Sequence, residues 1–241
     1  MDKEKLESLM NIIKNSNRIV FFGGAGVSVA SGIPDFRGSN GLYNHHPEEI
    51  ISHHFFLEHT KEFYEFYFSK MVYDNALPNE CHKALKYLED KGILSSIVTQ
   101  NIDSLHQEAG STKVYELHGS IKRNYCMKCH KFYSIDDFIH EGIPHCTCGG
   151  IIKPDVVLYE EGLDDKVIDG AINEISKSDT LIIAGTSLVV YPAASFVRYF
   201  RGKNLVIINL GTTQYDSYCT LAINGKVEEY LNIDNFKKYN I

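Results

Sequence analysis

An α/β fold, a doubly wound and mostly parallel sheet with a smaller module inserted, is what this chain predicts, on three observations. The first is a series of short apolar runs, rich in branched residues and bounded by polar or glycine signals, as buried parallel strands are. The second is that helical patterns fall between most of these runs. The third is the run Gly24-Ala25-Gly26-Val27-Ser28 directly after the first apolar stretch, because a sheet of this kind takes its ligand at the carboxyl ends of its strands. Together they describe a Rossmann-like sheet.

Residues 4 to 15 set Leu6, Leu9, Met10, Ile12 and Ile13 at helical spacing, which predicts a helix leading into a first strand, Arg18 to Phe22. Small residues after that strand let backbone N–H groups approach a phosphate, and the Ser28 hydroxyl can donate to one. No glycine stands at position 29, so the G-x-G-x-x-G spacing is not met. Residues 39 to 77 crowd His45, His46, His53, His54 and His59 among phenylalanines and tyrosines and read as inserted helices with an aromatic core. Further strands are predicted over Ile93 to Thr99, Val114 to Leu117, Thr180 to Ala184 and Leu205 to Asn209, the last of the sheet. Residues 121 to 153 have little apolar periodicity and need a metal to hold their fold. The large domain is thus expected over 1–38, 80–120 and 154–241, and the small one over 39–79 and 121–153.

At 241 residues and 44% hydrophobic content the chain can build one sizeable core. A formal net charge of −7 argues against general nucleic-acid binding, which needs many Lys and Arg contacts to phosphate, and suits a basic peptide better. The charged start Met1-Asp2-Lys3-Glu4-Lys5 lacks the apolar core of a signal peptide, and no run of membrane-spanning length follows. A cytoplasmic protein with no membrane partner is expected, a compact core for which a monomer is favoured. Four of the six cysteines cluster as Cys126-x-x-Cys129 and Cys146-x-Cys148, which inside a cell reads as metal and not as disulfides. Four thiolates close a tetrahedral shell with no open position, the arrangement of a structural zinc. His130 and His145 stand beside the quartet as alternative ligands, whereas Cys81 and Cys219 read as ordinary buried thiols.

Four motifs carry chemistry. In Pro34-Asp35-Phe36-Arg37 the guanidinium of Arg37 suits phosphate, Phe36 can cover a sugar, and Asp35 either lines the site or caps the turn. In Gln100-Asn101-Ile102-Asp103-Ser104-Leu105-His106 an amide and a carboxylate alternate around Ile102 and can read a carboxamide and a ribose; a turn-forming Asn101 and a helix-capping Asp103 are the structural alternatives. Glu116-Leu117-His118-Gly119 puts an imidazole at a strand end, where it can take a proton at physiological pH. Gly185-Thr186-Ser187 offers N–H and hydroxyl donors after a buried strand, and Asn209 with Leu210 closes the series.

In this order, with the cysteine quartet between the third and fourth, these motifs resemble the sirtuins, the NAD-dependent protein lysine deacylases, over nearly the whole chain, in a minimal, bacterial-like form. The resemblance implies NAD consumed as a co-substrate, one structural zinc, and acetyl-lysine proteins or peptides as partners. It implies that Asp103 and the backbone of Ile102 hold the nicotinamide carboxamide, Gln100 and Asn101 organise the ribose, Asn209 meets the adenosine ribose, and Phe36 shields the sugar. The acyl oxygen of the modified lysine would displace nicotinamide, and His118 would activate the ribose hydroxyl that captures the acyl group, giving O-acetyl-ADP-ribose.

Three departures stand out. The second cysteine pair is C-x-C where C-x-x-C is the commoner sirtuin pattern. Val156-Val157-Leu158-Tyr159-Glu160-Glu161 stands where the family carries a stretch ending Phe-Gly-Glu; Val157, Leu158 and Tyr159 would accept a peptide as an added strand, facing Leu188, Val189 and Val190. Sirtuins for acidic acyl groups carry a tyrosine and, three residues on, an arginine, whereas here Tyr64 is followed by Tyr67, so neutral acyl groups are expected. ADP-ribosyl transfer to protein, or an NAD- or acyl-lysine-binding module without turnover, are the alternative functions.

Overall fold

The computed structural model describes residues 1–35, 47–73 and 75–241. Its centre is β1 (Ile19–Gly23), buried at every position. The strand pairs in parallel with β2 (Leu94–Thr99) on one side and with β7 (Thr180–Ala184) on the other. Outside them lie β3 (Val114–Glu116), β8 (Asn204–Asn209) and β9 (Leu221–Asn224), in the order β3-β2-β1-β7-β8-β9. All five neighbouring pairs among these described strands are parallel.

The runs read from sequence correspond to β1, β2, β3, β7 and β8, but β9 was not among them. Asn209 therefore ends the strand next to the edge, not the last strand of the sheet. A strand with one neighbour buries little: of its four residues only Ile223 is fully buried, so β9 carries no continuous apolar run.

Helices cover both faces. α1 (Lys3–Lys14) begins at Asp2, whose carboxylate accepts the N–H groups of Glu4 and Lys5, the groups a helix start leaves without partners. With α5 (Glu80–Asp90), α8 (Val227–Tyr230) and α9 (Ile233–Lys238) it packs Leu6, Leu85, Tyr230 and Phe236 against Phe21 and Ile182. On the opposite face α7 (Asp165–Lys177) and the 3-10 run Ala193–Tyr199 press Ile175 and Phe196 onto Phe22 and Ile183.

The remaining elements form smaller clusters. β4 (Gly119–Cys126), β5 (Phe132–Ser134) and β6 (Ile152–Val156) make an antiparallel sheet in the order β5-β4-β6. Beside it lie α2 (Pro47–Ile50), α3 (His53–Glu58) and α4 (Thr60–Lys70), while the short α6 (Leu105–Glu108) belongs to the large sheet. Phe56, Phe63, Tyr64 and Tyr67 form an aromatic core, with the Phe56 and Phe63 rings edge to face at 4.9 Å. His53 pairs with Glu161 at 2.8 Å and His59 packs on Phe55, as an aromatic core and not a metal site requires; His45 and His46 lie outside the described residues.

Candidate active site and metal centre

β1 stands where the strand order reverses, so the loops leaving β1 and β7 diverge above the sheet and frame a crevice. A cleft of about 1360 Å³ opens there. Gly24, Ala25, Gly26, Ser28 and Asp35 line it from the β1 side, and Gly185, Thr186 and Ser187 from the β7 side. Phe36 and Arg37 lie outside the described residues.

The glycines also join the two loops to each other. Gly24 N–H donates to Ala184 O at 3.1 Å and Gly26 N–H to Gly185 O at 2.8 Å. A Cβ on Gly24 would sit 2.7 Å from the Thr186 Cβ, and one on Gly26 would sit 2.7 Å from the Gly185 Cα. The two loops approach too closely for any side chain at Gly24 or Gly26.

Below this contact Asn101, Ser28 and Asp103 form one chain. Asn101 Nδ2 donates to Ser28 Oγ at 3.0 Å, and Ser28 Oγ donates to Asp103 Oδ2 at 2.6 Å. The other oxygen of Asp103 accepts the Leu105 N–H at 3.0 Å, so this carboxylate caps α6 and faces the cleft at once. The Ser28 hydroxyl, 1% exposed, has given its one hydrogen to Asp103 and is not available to donate to a phosphate, which corrects the role read from sequence. Burial pushes the Asp103 carboxyl up, and the Ser28 bond opposes that shift.

His118 stands two residues beyond β3. Its Nδ1 lies 2.9 Å from Gln100 O, a carbonyl that can only accept, so Nδ1 carries the hydrogen and Nε2 keeps its lone pair. Burial holds the imidazole below its ordinary value although the Gln100 bond raises it, so the ring is neutral at pH 7. Gly119 fixes the position, since at φ 75° a Cβ there would lie 1.8 Å from Asp155 O. Gln100 itself is tied to the β7 loop, its Nε2 donating to Thr186 Oγ1 at 3.0 Å.

One wall of the cleft is Val157, Leu158 and Tyr159. Glu160, in the place of the expected glycine, keeps a left-handed backbone at φ 75° and compensates by accepting the His54 N–H of α3 at 2.9 Å. Across the cleft, Val190, Tyr191 and Pro192 line the surface. Leu188 is buried in the core and Val189, half exposed, does not line the cleft, so of the three residues read from sequence Val190 alone stands on the facing wall, which continues through Tyr191 and Pro192. Tyr64 and Tyr67 do not reach the cleft either. Both are 1% exposed, and the Tyr64 hydroxyl donates to Ile152 O, so neither ring can read an acyl group. Gly225 and Lys226 line the cleft as well and were missed, because the strand they follow, β9, was missed. Asn209 and Leu210 do line it; Asn209 turns its Nδ2 onto Gly211 O.

The sulfurs of Cys126, Cys129, Cys146 and Cys148 all lie within 4.8 Å of one another, the sole metal-capable cluster found among the described residues. His130 and His145 are not part of it. A single ion can touch four sulfurs so placed, and a four-thiolate donor set is the one structural zinc takes. Hydrogen bonds favour the thiolate at two of the four: the Cys129 N–H holds Cys126 down, and the Cys148 N–H with the Tyr133 hydroxyl pulls Cys146 down to about 5, while the neighbouring sulfurs push Cys129 up to about 12.

A model of the Sir2 family matches residues 24–192. The chain is 60% identical over 238 residues to an NAD-dependent protein deacetylase of Clostridium perfringens, covering 95% of this chain and 97% of that protein. A second, from Clostridium acetobutylicum, is 53% identical at 95% and 97% coverage. Among solved structures, Sir2 with a deacetylated p53 peptide and 3′-O-acetyl ADP ribose matches with a TM-score of 0.89 at 38% identity, covering 97% of each chain. A complex of Sir2, p53 peptide and NAD+ matches at 0.85 and 37%, covering 98% of each. With the motifs, the sheet order and the cysteine quartet already in place, the chain belongs to the Sir2 family.

Proposed function

We propose that this protein is an NAD-dependent protein lysine deacetylase in which His118 is the general base. The observation that carries the assignment is the His118 imidazole at the cleft, its Nδ1 tied to Gln100 O, which leaves Nε2 as the acceptor. The cleft fits NAD: it opens at the switch point of a parallel sheet, and Asp103 uses two of its roughly four lone-pair sites, which leaves room for a carboxamide NH₂. Bound NAD supplies an electrophilic ribose carbon and nicotinamide as the leaving group.

The residues then divide the work. Asp103 and the Ile102 backbone hold the carboxamide, and Asn101, fixed by Ser28, orders the ribose with Gln100. His118 Nε2 takes the proton of the ribose hydroxyl as that oxygen captures the acyl group. The loops of Gly24 to Gly26 and Gly185 to Ser187 hold the phosphates, with Asn209 and Leu210 towards the adenosine; Asp35, Phe36 and Arg37 complete the set. The peptide adds beside Val157, Leu158 and Tyr159. Ile51, Ile121 and Val156 line the cleft nearby and suit a short, neutral acyl group, acetyl first. We assign 1–38, 80–120 and 154–241 to the NAD-binding domain and 39–79 with 121–153 to the small one; the two apolar clusters of the large sheet support the first, while the aromatic cluster of the second also takes in Val156 and Leu158. No helix among the described residues is long and apolar enough to cross a membrane. The cytoplasm, where the four thiols stay reduced, is the proposed compartment.

Product analysis by mass spectrometry with NAD and an acetyl-lysine peptide tests the assignment. Nicotinamide, deacetylated peptide and O-acetyl-ADP-ribose should form in equal amounts, and His118→Ala should lower the rate by about 10³-fold, within the range of general-base loss. Nicotinamide release with the peptide still acetylated would overturn it in favour of ADP-ribosyl transfer.

A further inference from the structure

The two metal-binding turns are one frame at two lengths. In the first, Cys126 N–H donates to Lys131 O at 3.0 Å, and Cys126 O accepts the His130 N–H at 2.9 Å. In the second, Cys146 N–H donates to Gly150 O and Cys146 O accepts the Gly149 N–H, both at 2.8 Å. A left-handed residue closes each turn, His130 at φ 59° and Gly149 at φ 81°. Every partner in the second turn comes one residue sooner, which is the structural meaning of C-x-C in place of C-x-x-C. The left-handed backbone also gives His130 a role in the turn and not in the metal shell.

The missing residue has a cost in hydrogen bonds. Cys126 Sγ accepts two backbone N–H groups, from Lys128 and from Cys129, each at 3.4 Å. The shorter turn keeps the Cys148 N–H towards Cys146 Sγ and offers no second backbone N–H, while the Thr147 hydroxyl stands off at 3.9 Å. In its place the hydroxyl of Tyr133 lies 3.1 Å from Cys146 Sγ. Tyr133 comes from β5, where it pairs with Asn124 of β4, and its ring is held by packing on the cysteine cluster and by Lys131 Nζ 5.0 Å from its centre. Cys126 is thus held by two backbone donors, and Cys146 by one backbone donor with a tyrosine hydroxyl as its nearest side-chain donor.

We propose that Tyr133 is a positioning residue of the zinc site, its hydroxyl replacing on Cys146 the backbone donor that the C-x-C turn lacks. A donor on a thiolate fixes the direction of its lone pairs and withdraws charge from the sulfur, and outer partners of this kind commonly tune metal affinity. Tyr133 touches no substrate, so its effect is on metal retention and on the electronic state of the sulfur. The inference rests on reading the quartet as a zinc site.

The test uses the full chain loaded with Co²⁺ in place of zinc, compared as wild type, Tyr133→Phe and Tyr125→Phe. Tyr125 lies on the same small sheet, half exposed, and serves as the control. Two quantities are read, the sulfur-to-cobalt charge-transfer band and the Co²⁺ dissociation constant from chelator competition. Tyr133→Phe should weaken retention about tenfold, the low end of outer-shell effects, and move the band to lower energy, while Tyr125→Phe changes neither. One glycine inserted after Thr147 in the Tyr133→Phe background lengthens the turn to C-x-x-C and should restore both readings. Retention within twofold of wild type with an unmoved band would overturn the proposal, as would a lengthened turn that rescues nothing. A wild-type protein that takes up no tetrahedral Co²⁺ would instead overturn the zinc reading beneath it.

Discussion

The large sheet and the cysteine sheet are stabilised by different physics. β1 and β7 are buried at every position between two helical layers, so apolar area removed from water holds them. In the small sheet the cluster around the metal buries only Cys126, Cys146 and Ile152, with Tyr133, Phe138 and Cys148 half buried beside them. At this end of the sheet the core is too small to hold on burial, and coordination takes its place, whereas Ile121 and Val156 tie the other end into the aromatic core. The contrast teaches that one chain can hold a reactive cleft on a rigid apolar platform while one wall of that cleft depends on an ion.

Chelation should break the comparison most sharply. Structural zinc contributes on the order of 10 kcal/mol in small zinc modules, far more than the residual core here supplies. After metal removal, hydrogen exchange should lose protection over β4 to β6 and keep it over β1, β2 and β7. Equal loss across both sheets would show that they are not independent supports.

Acid should strike the large sheet instead. His82 on α5 is fully buried, accepts the Asn79 N–H on Nδ1, and packs its ring 4.7 Å from that of His106. Burial pulls His82 down to about 4 and His106 well below its usual range. The unfolded chain binds a proton near pH 6.5 that the folded chain refuses until about 4. Stability is therefore complete above pH 6.5 and declines as pH falls towards 4, by about 3 kcal/mol for His82 alone. Urea unfolding at pH 7 and at pH 5 should show a lower midpoint in acid, and His82→Gln should flatten the dependence. An unchanged slope in that variant would remove the histidine from the explanation.

Ser28→Ala is the smallest of these effects and the most local. It takes one hydrogen bond from a buried carboxylate and leaves Asn101 Nδ2 without its acceptor, worth about 1–2 kcal/mol. The expected result is roughly a tenfold fall in kcat/KM with bound zinc unchanged. A loss below twofold would mean that Asp103 and Asn101 hold their places without the serine.

Much of the site was legible because its residues cluster in short motifs. Asn101, Asp103 and His118 all line the cleft, and the quartet converges. What could not be read were relations between distant segments. Tyr64 and Tyr67 have the spacing of an acyl-reading pair, yet the packing of α4 on β6 turns them inward. Val189 looks like a cleft residue by its neighbours, yet a left-handed Leu188 redirects the chain so that Val190 and Tyr191 face the opening.

The sequence by itself determined the α/β class, the places of β1, β2, β3, β7 and β8, and the metal-binding identity of the cysteines. These follow from local composition and spacing, because a buried strand needs a short branched run and a tetrathiolate needs paired cysteines. Tertiary structure alone decided that β9 extends the sheet, that Gly24 and Gly26 serve a contact with Gly185 and Thr186, and that the Ser28 hydroxyl belongs to Asp103. It also brought Tyr133 to Cys146, thirteen residues on. Each of these depends on which separate segments meet, and the energy that brings them together, burial in one region and coordination in the other, is a property of the assembled chain.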